Sequence, residues 1–401
     1  MKRMVYDFDQ PVERRGTYSA KWDGVPMFPA MGLSERGDGD TLPLFTADMD
    51  FRCPDSVREE ILKIAQRNLY GYTLLHPALG SAYYDAVRGW FERRHGWKIR
   101  PEEILYVDGT VTAIRHALLA FSQPGDGVLI NRPIYTPFTT AILSTGRRVV
   151  NSQLRNENGR YTIDFADFEE KAACPDTRCM ILCNPHNPTG RIWSDEDLVR
   201  MYEICTRNGV LVISDEIHGD LIRRDSVYHP LATLVDGANL VACTAANKTF
   251  NLAGLKATNV IISDPDLRCR YEKQIGQVFL SPFTIAATIG AYNGGEEWLE
   301  QLKTYLDGTI DWTVEFIRQN LPKVRCVRPE GTYILWMDFR GYGLSAGEIR
   351  RKIYQDANVV LESGRMFDPD GGDGFERICL STRRALVQEA FQRIARQFEG
   401  L

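Results

Sequence analysis

The amino-acid sequence predicts an α/β fold: a mainly parallel, seven-stranded sheet between two helical layers, with a smaller α+β domain at the C-terminal end. Two observations predict the sheet. Through the middle of the chain, short β-branched runs alternate with amphipathic stretches, the order of a parallel sheet with crossover helices. The runs are apolar almost without interruption, as strands covered on both faces require. A third observation sets the small domain apart: past about Trp298 this alternation stops, and one long helical pattern is followed by short mixed elements.

The expected strands are Ile104–Val107, Gly127–Asn131, Arg147–Val150, Cys179–Cys183, Val210–Ser214, Leu240–Thr244 and Asn259–Ile262. Helices fall between them. One starts near Thr112 and runs to Phe121. Another opens at Ser194, with Asp197 three residues on as a capping partner, and ends at Asn208-Gly209. The tail holds a helix from Trp298 to Asn320, a strand over Thr332–Met337, a helix near Ala346–Asp356, a strand over Arg377–Leu380 and a last helix from about Ala385. Three units are therefore expected: an N-terminal arm over 1–50, too irregular to fold alone and packed on the tail; a large domain over 51–297; and a small domain over 298–401.

Composition narrows the function. The chain has 401 residues, 44% of them hydrophobic and 25% charged, enough apolar matter for a sizeable core. The formal charge is -5 with no strongly basic region, which argues against nucleic acid or an anionic membrane as partner. No run of about 18 uncharged apolar residues is present, so no membrane span is expected. Met1 to Arg15 is charged throughout and lacks the apolar segment of a secretory signal. Nine cysteines, an odd number at irregular spacing and mostly inside apolar runs, read as reduced thiols of a cytoplasmic protein. Their spacing matches no metal site, so no metal is expected, and dinucleotide, Walker A and zinc-protease motifs are missing.

Three polar groups follow predicted strands directly, where open α/β sheets bind ligands. They are Asn184-Pro-His-Asn-Pro-Thr-Gly190, Ser214-Asp-Glu-Ile-His-Gly-Asp220 and Asn247-Lys-Thr-Phe-Asn-Leu-Ala-Gly254. Asn187, Asp215 and Lys248 recur at intervals of roughly 30 residues, one crossover unit each, so the three should line one sheet edge. A lysine, an acid and an amide there suit pyridoxal 5′-phosphate. The amine can form a Schiff base with its aldehyde, and the acid can keep the pyridine nitrogen protonated so that the ring accepts electrons. Its phosphate needs bare backbone N–H groups at a helix start, which Asp108-Gly-Thr-Val-Thr112 supplies through Thr110 and Val111. Tyr135 offers an aromatic to stack on the ring. Each residue alone has a plainer use: a solvated lysine, a helix-capping Asp215, a turn at Asn187-Pro-Thr-Gly190, packing tyrosines at 72 and 135, a core histidine at 218, a surface arginine at 384. Order and spacing carry the weight.

The sequence Tyr135, Asn187-Pro-Thr-Gly190, Asp215, Lys248 and a late arginine resembles the fold-type I, pyridoxal-phosphate-dependent class I/II aminotransferase superfamily over essentially the whole chain. Gly16-Thr-Tyr-Ser-Ala-Lys-Trp-Asp23, Pro43-Leu-Phe-Thr-Ala-Asp-Met-Asp-Phe51 and Ser214-Asp-Glu-Ile-His-Gly-Asp-Leu221 resemble its MalY/PatB group of cystathionine β-lyase-like C–S lyases. The resemblance implies that Lys248 carries the Schiff base and moves protons. It implies that Asp215, Asn187, His218, Tyr135, Thr110 and Val111 bind the cofactor, and that Arg384 grips the α-carboxylate. Tyr72 would reach the site of a second copy in a homodimer with shared sites. Arg383 stands where the family has proline, and Ala245 and Asn247 where it favours serine. The implied reaction is β-elimination from cystathionine or a cysteine S-conjugate, giving pyruvate, ammonia and a thiol. Transamination of amino acids is the alternative, and a pyridoxal-phosphate-binding regulator acting through a protein partner is a more distant one.

Overall fold

The computed structural model describes residues 5–401. Seven strands form the large sheet: β1 (Ile104–Val107), β2 (Gly127–Ile130), β3 (Arg148–Asn151), β4 (Thr177–Cys183), β5 (Leu211–Asp215), β6 (Leu240–Thr244) and β7 (Thr258–Ile261). Their order across the sheet is β1-β7-β6-β5-β4-β2-β3. Only β7 runs antiparallel to its neighbours; β3, β2, β4, β5 and β6 pair in parallel. The expected strands are all present, with ends displaced by a residue or two.

The apolar runs are long because both sheet faces are covered. Within β4, Cys179, Ile181 and Cys183 pack with Ala113, Ile114 and Leu118 of the helix Thr110–Phe121. The alternate residues Met180 and Leu182 face the opposite layer, with Trp90, Met201 and Tyr292. This is the two-residue period of a strand feeding two cores. The helix Asp195–Arg207 begins where the sequence places it, with Ser194 Oγ accepting from the Asp197 amide at 3.1 Å, and its exit runs through Gly209 at φ +69°. The helices Asp55–Arg67, Ala82–His95, Pro265–Ile275 and Pro282–Gly294, for which the strand pattern gives no signal, complete the two layers.

A second sheet is built from β8 (Arg325–Cys326), β9 (Ile334–Asp338), β10 (Glu362–Ser363) and β11 (Phe375–Cys379), in the order β8-β9-β11-β10. The helix Arg384–Phe398 covers it, packing Val387, Phe391 and Ile394 on Leu335 and Ile378. The 25-residue helix Glu296–Asn320 is about 37 Å long and serves both bodies. Its first turns bring Trp298, Leu302 and Leu306 to the large core, and its later turns bring Ile310 and Ile317 to the small one.

The arm also divides between the cores. Val25, Phe28, Leu44 and Phe45 join the small-domain core, where Leu42–Pro43 pairs in parallel with Val359–Val360. Phe8, Met49 and Phe51 join the large one, with Phe8 edge-on to Phe51 and Trp298 at 5.3 and 5.7 Å. The chain from 46 to 50 therefore crosses between the two bodies, over the ends of the large-sheet strands. Among the described residues no helix is long and apolar enough to cross a membrane, and no group of His, Cys, Asp and Glu could hold a metal ion. All nine cysteines are free thiols.

Candidate active site

The register of the parallel strands puts Cys183, Asp215 and Cys243 side by side, so the loops leaving β4, β5 and β6 emerge at one edge. The Asn184 amide donates to the Asp215 carbonyl at 3.0 Å, and the Glu216 amide to the Cys243 carbonyl at 2.9 Å, which fixes the loops against one another. The structure thereby brings Asn187, Asp215, His218 and Lys248 together at that edge.

Asp215 ends β5 and is only 4% exposed. Its Oδ1 accepts one backbone N–H, from Ile217 at 3.2 Å, and no cation bonds to it. Burial pushes its carboxyl up to about 7, against the smaller opposing pull of Lys248. This is a buried acid without the cationic partner that would hold it ionised. Lys248 lies on the single turn Ala246–Thr249 after β6. Its Nζ donates to the Ala47 carbonyl of the arm at 2.7 Å, and burial lowers its pKa. The turn is braced from below: Thr249 Oγ1 donates to Asp220 at 3.1 Å, and Asp220 also takes Trp90 Nε1 at 3.1 Å and His95 Nε2 at 2.9 Å.

His218 is buried edge-on to Tyr333, and its Nδ1 has no partner among the described residues. Burial, reinforced by the charges of Lys248 and Arg377, holds its imidazole down to about 3, so it is neutral at pH 7. The Thr244 hydroxyl and the Asn184 Nδ2 are likewise buried and unpartnered. Tyr135 is half-buried at the start of the helix Thr136–Ser144, and burial raises its phenol. The residues flanking it are tied across to the segment just before β11: the Ile134 N–H donates to the Phe367 carbonyl at 3.0 Å, and the Thr136 hydroxyl to the Met366 carbonyl.

Thr110 and Val111 open the helix Thr110–Phe121 after Gly109, whose φ of +135° and ψ of 152° suit no L-residue. The first intrahelical acceptor, the Gly109 carbonyl, serves Ala113, so the amides of Thr110, Val111 and Thr112 point free of the helix. Thr110 Oγ1 meets Thr258 Oγ1 of β7 at 2.9 Å, which anchors this helix start to the same sheet edge.

Two expected residues stand elsewhere. Tyr72 is 92% exposed against Phe279, ring centroids 5.0 Å apart, and touches none of these groups within the chain. The second is Arg384. Its Nε donates to Thr309 Oγ1 at 3.1 Å and a terminal nitrogen to the Tyr305 carbonyl at 3.2 Å, so the guanidinium is spent on the helix Glu296–Asn320. Arg383 stands at the cap of the following helix, where its side chain makes no capping hydrogen bond. The arginine at the site is Arg377, 1% exposed, at the centre of β11. It donates to Asn187 Oδ1 at 2.9 Å and to Glu362. The signal for it was an arginine in the middle of a short strand, Phe375-Glu-Arg-Ile-Cys379, whose five residues are all buried, where a charge survives only with buried partners. Ala47 was equally hidden, because it contributes a backbone carbonyl.

The unsatisfied groups describe what fits between them: a ring bearing a basic nitrogen for Asp215, an electron-rich oxygen for Asn187 Nδ2 and His218, an aldehyde for Lys248 and a phosphate for the free amides at Thr110–Thr112. Pyridoxal 5′-phosphate has these features.

Comparison with known proteins agrees. Residues 40–394 match the family Aminotransferase class I and II. The cystathionine β-lyase PatB of Bacillus subtilis is 39% identical over 97% of this chain and 98% of its own. The protein MalY of Escherichia coli is 26% identical over 96% and 97%. Among solved structures, cystalysin from Treponema denticola, which contains a pyridoxal 5′-phosphate cofactor, superposes with a TM-score of 0.92 at 30% identity, covering 99% of each chain.

Proposed function

The chain belongs to the class I and II aminotransferase family, and from that premise we propose that it is a pyridoxal-phosphate-dependent carbon–sulfur β-lyase, releasing pyruvate, ammonia and a thiol from cystathionine or a cysteine S-conjugate. The observation that carries the cofactor half of this reading is Asp215, a buried acid with no cation bonded to it, beside a lysine whose pKa burial lowers. The 39% identity to a cystathionine β-lyase along nearly the full length supports the reaction half.

The chain's residues divide the work. Pyridoxal 5′-phosphate, when bound, supplies the aldehyde that takes the substrate amine and the electron sink for the charge left at Cα. Asp215 would keep the ring nitrogen protonated, and its own burial would strengthen that pairing in a low-dielectric site. Asn187 Nδ2 and neutral His218 would hold the ring oxygen, Tyr135 would supply an aromatic for the ring, and Thr110 and Val111 would hold the phosphate through their amides. Arg377, oriented by Asn187, receives the α-carboxylate on a planar fork. That grip turns the Cα–H bond toward Lys248. The Lys248 amine, whose pKa burial lowers, removes that proton. The sulfur then leaves from Cβ, and the same ammonium is placed to protonate it.

Tyr72 fits a role across a homodimer. It stands among exposed apolar side chains, Leu69, Tyr70, Leu74 and Phe279, a strip whose burial by a second copy would bring Tyr72 to the partner's site. Nine free thiols suit a reducing cytoplasm.

The test is product analysis with cystathionine and no 2-oxo acid. Steady release of pyruvate with a thiol is expected. Turnover that begins only when 2-oxoglutarate is added would identify an aminotransferase instead.

A further inference from the structure

Arg377 does not wait with an open fork. Glu362 sits directly across from it on the adjacent antiparallel strand β10 and is ion-paired to its outer terminal nitrogen, while the other terminal nitrogen holds Asn187. The Nε has no partner among the described residues. The same Glu362 oxygen also accepts the Thr46 amide at 3.3 Å. Thr46 precedes Ala47, whose carbonyl takes the Lys248 amine. Glu362 therefore stands at the mouth of the site, between the guanidinium and the arm, with part of its surface open.

A carboxylate arriving at Arg377 must push Glu362 off that nitrogen or settle beside it, two like charges within a few ångströms. An α-amino acid can do this, because its amine is already fixed at the Lys248 end and presents the carboxylate at high effective concentration. A simple carboxylate has no second anchor, and neither does pyruvate once it is freed from its amine. We propose that Glu362 is a specificity-determining residue that competes with ligand carboxylates for Arg377, favouring amino acids over unanchored carboxylic acids and easing the departure of a 2-oxo acid product. This rests on Arg377 being the carboxylate-binding residue. The plainer role for Glu362 is a counter-ion that makes the buried arginine tolerable. The two roles predict opposite signs, because removing a competitor tightens carboxylate binding and removing a support loosens it.

The experiment uses the cofactor-loaded enzyme and 3-(methylthio)propionate, a thioether carboxylate with no amine, titrated by calorimetry. Glu362→Gln keeps an oxygen for the Arg377 and Thr46 donors and removes only the charge. Its Kd is expected to fall tenfold or more below that of the unaltered enzyme, and Glu362→Ala is expected to move the same way. A Kd unchanged or raised in Glu362→Gln overturns the proposal. Arg377→Ala separates the layers: it should abolish binding. If it binds like the unaltered enzyme, Arg377 is not the carboxylate residue, and both readings fall. If it loses binding while Glu362→Gln shows no gain, only the competition fails.

Discussion

Asp215→Asn tests the electrostatic centre of the site without any assay of turnover. The ordinary carboxyl value of 3.8 is raised to about 7 in the folded chain. The folded state therefore holds this proton more tightly than the unfolded state, so folding stability falls as pH rises between those values. At 1.36 kcal/mol per pH unit the gap is worth about 4 kcal/mol, all of it lost above pH 7 and none below pH 3.8. Between pH 5 and pH 8 the cofactor-free protein should lose about 3 kcal/mol more than its Asp215→Asn variant, whose amide still accepts the Ile217 N–H but does not titrate. Urea unfolding at pH 5, 6, 7 and 8 measures both curves. Loading with pyridoxal 5′-phosphate should flatten the slope of the unaltered protein, because a pyridinium supplies the missing cation, and should leave the variant's slope unchanged. Parallel pH profiles in the two cofactor-free proteins would refute the reasoning, as would a variant that is the less stable of the two at pH 8.

Four further expectations can be checked separately. Arg377→Ala should lower kcat/KM for a thioether amino acid at least a hundredfold, about 3 kcal/mol, by leaving a carboxylate and an amide facing no cation. Arg384→Ala should leave KM near its original value and cost about 1 kcal/mol of stability through its lost hydrogen bonds on Thr309 and Tyr305; steady-state kinetics and unfolding curves on both variants decide it. Borohydride reduction of the loaded protein, followed by peptide mapping, should mark Lys248 and leave Lys256 unmodified, although Lys256 lies close to Gly109 at the phosphate end. Gly109→Ala should destabilise the chain by about 1–3 kcal/mol and weaken phosphate retention, read by equilibrium dialysis, because a Cβ has room there but the φ of +135° does not suit it.

The sequence by itself determined most of what repeats along the chain. Strands covered on both faces write themselves as apolar runs, and in a parallel sheet every loop at the C-terminal edge follows its strand directly. Asn187, Asp215 and Lys248 could therefore be placed at one edge from their order and spacing. The free amides at Thr110 and Val111 were legible for the same reason, since strand, glycine and helix start are consecutive. Tertiary structure alone decided the rest, because those groups meet from far apart in the chain. Arg377 reaches from the second sheet to Asn187, 190 residues earlier in the chain, and a run such as Ser381-Thr-Arg-Arg384 looks more like a ligand site than an arginine in mid-strand does. Ala47 acts through a carbonyl, which no residue type advertises. Glu362 acquires its place only from the antiparallel register of β10 on β11. Local patterning follows from backbone periodicity and is written residue by residue. Which charges end up face to face depends on how separate elements pack, and that is fixed by the whole core at once.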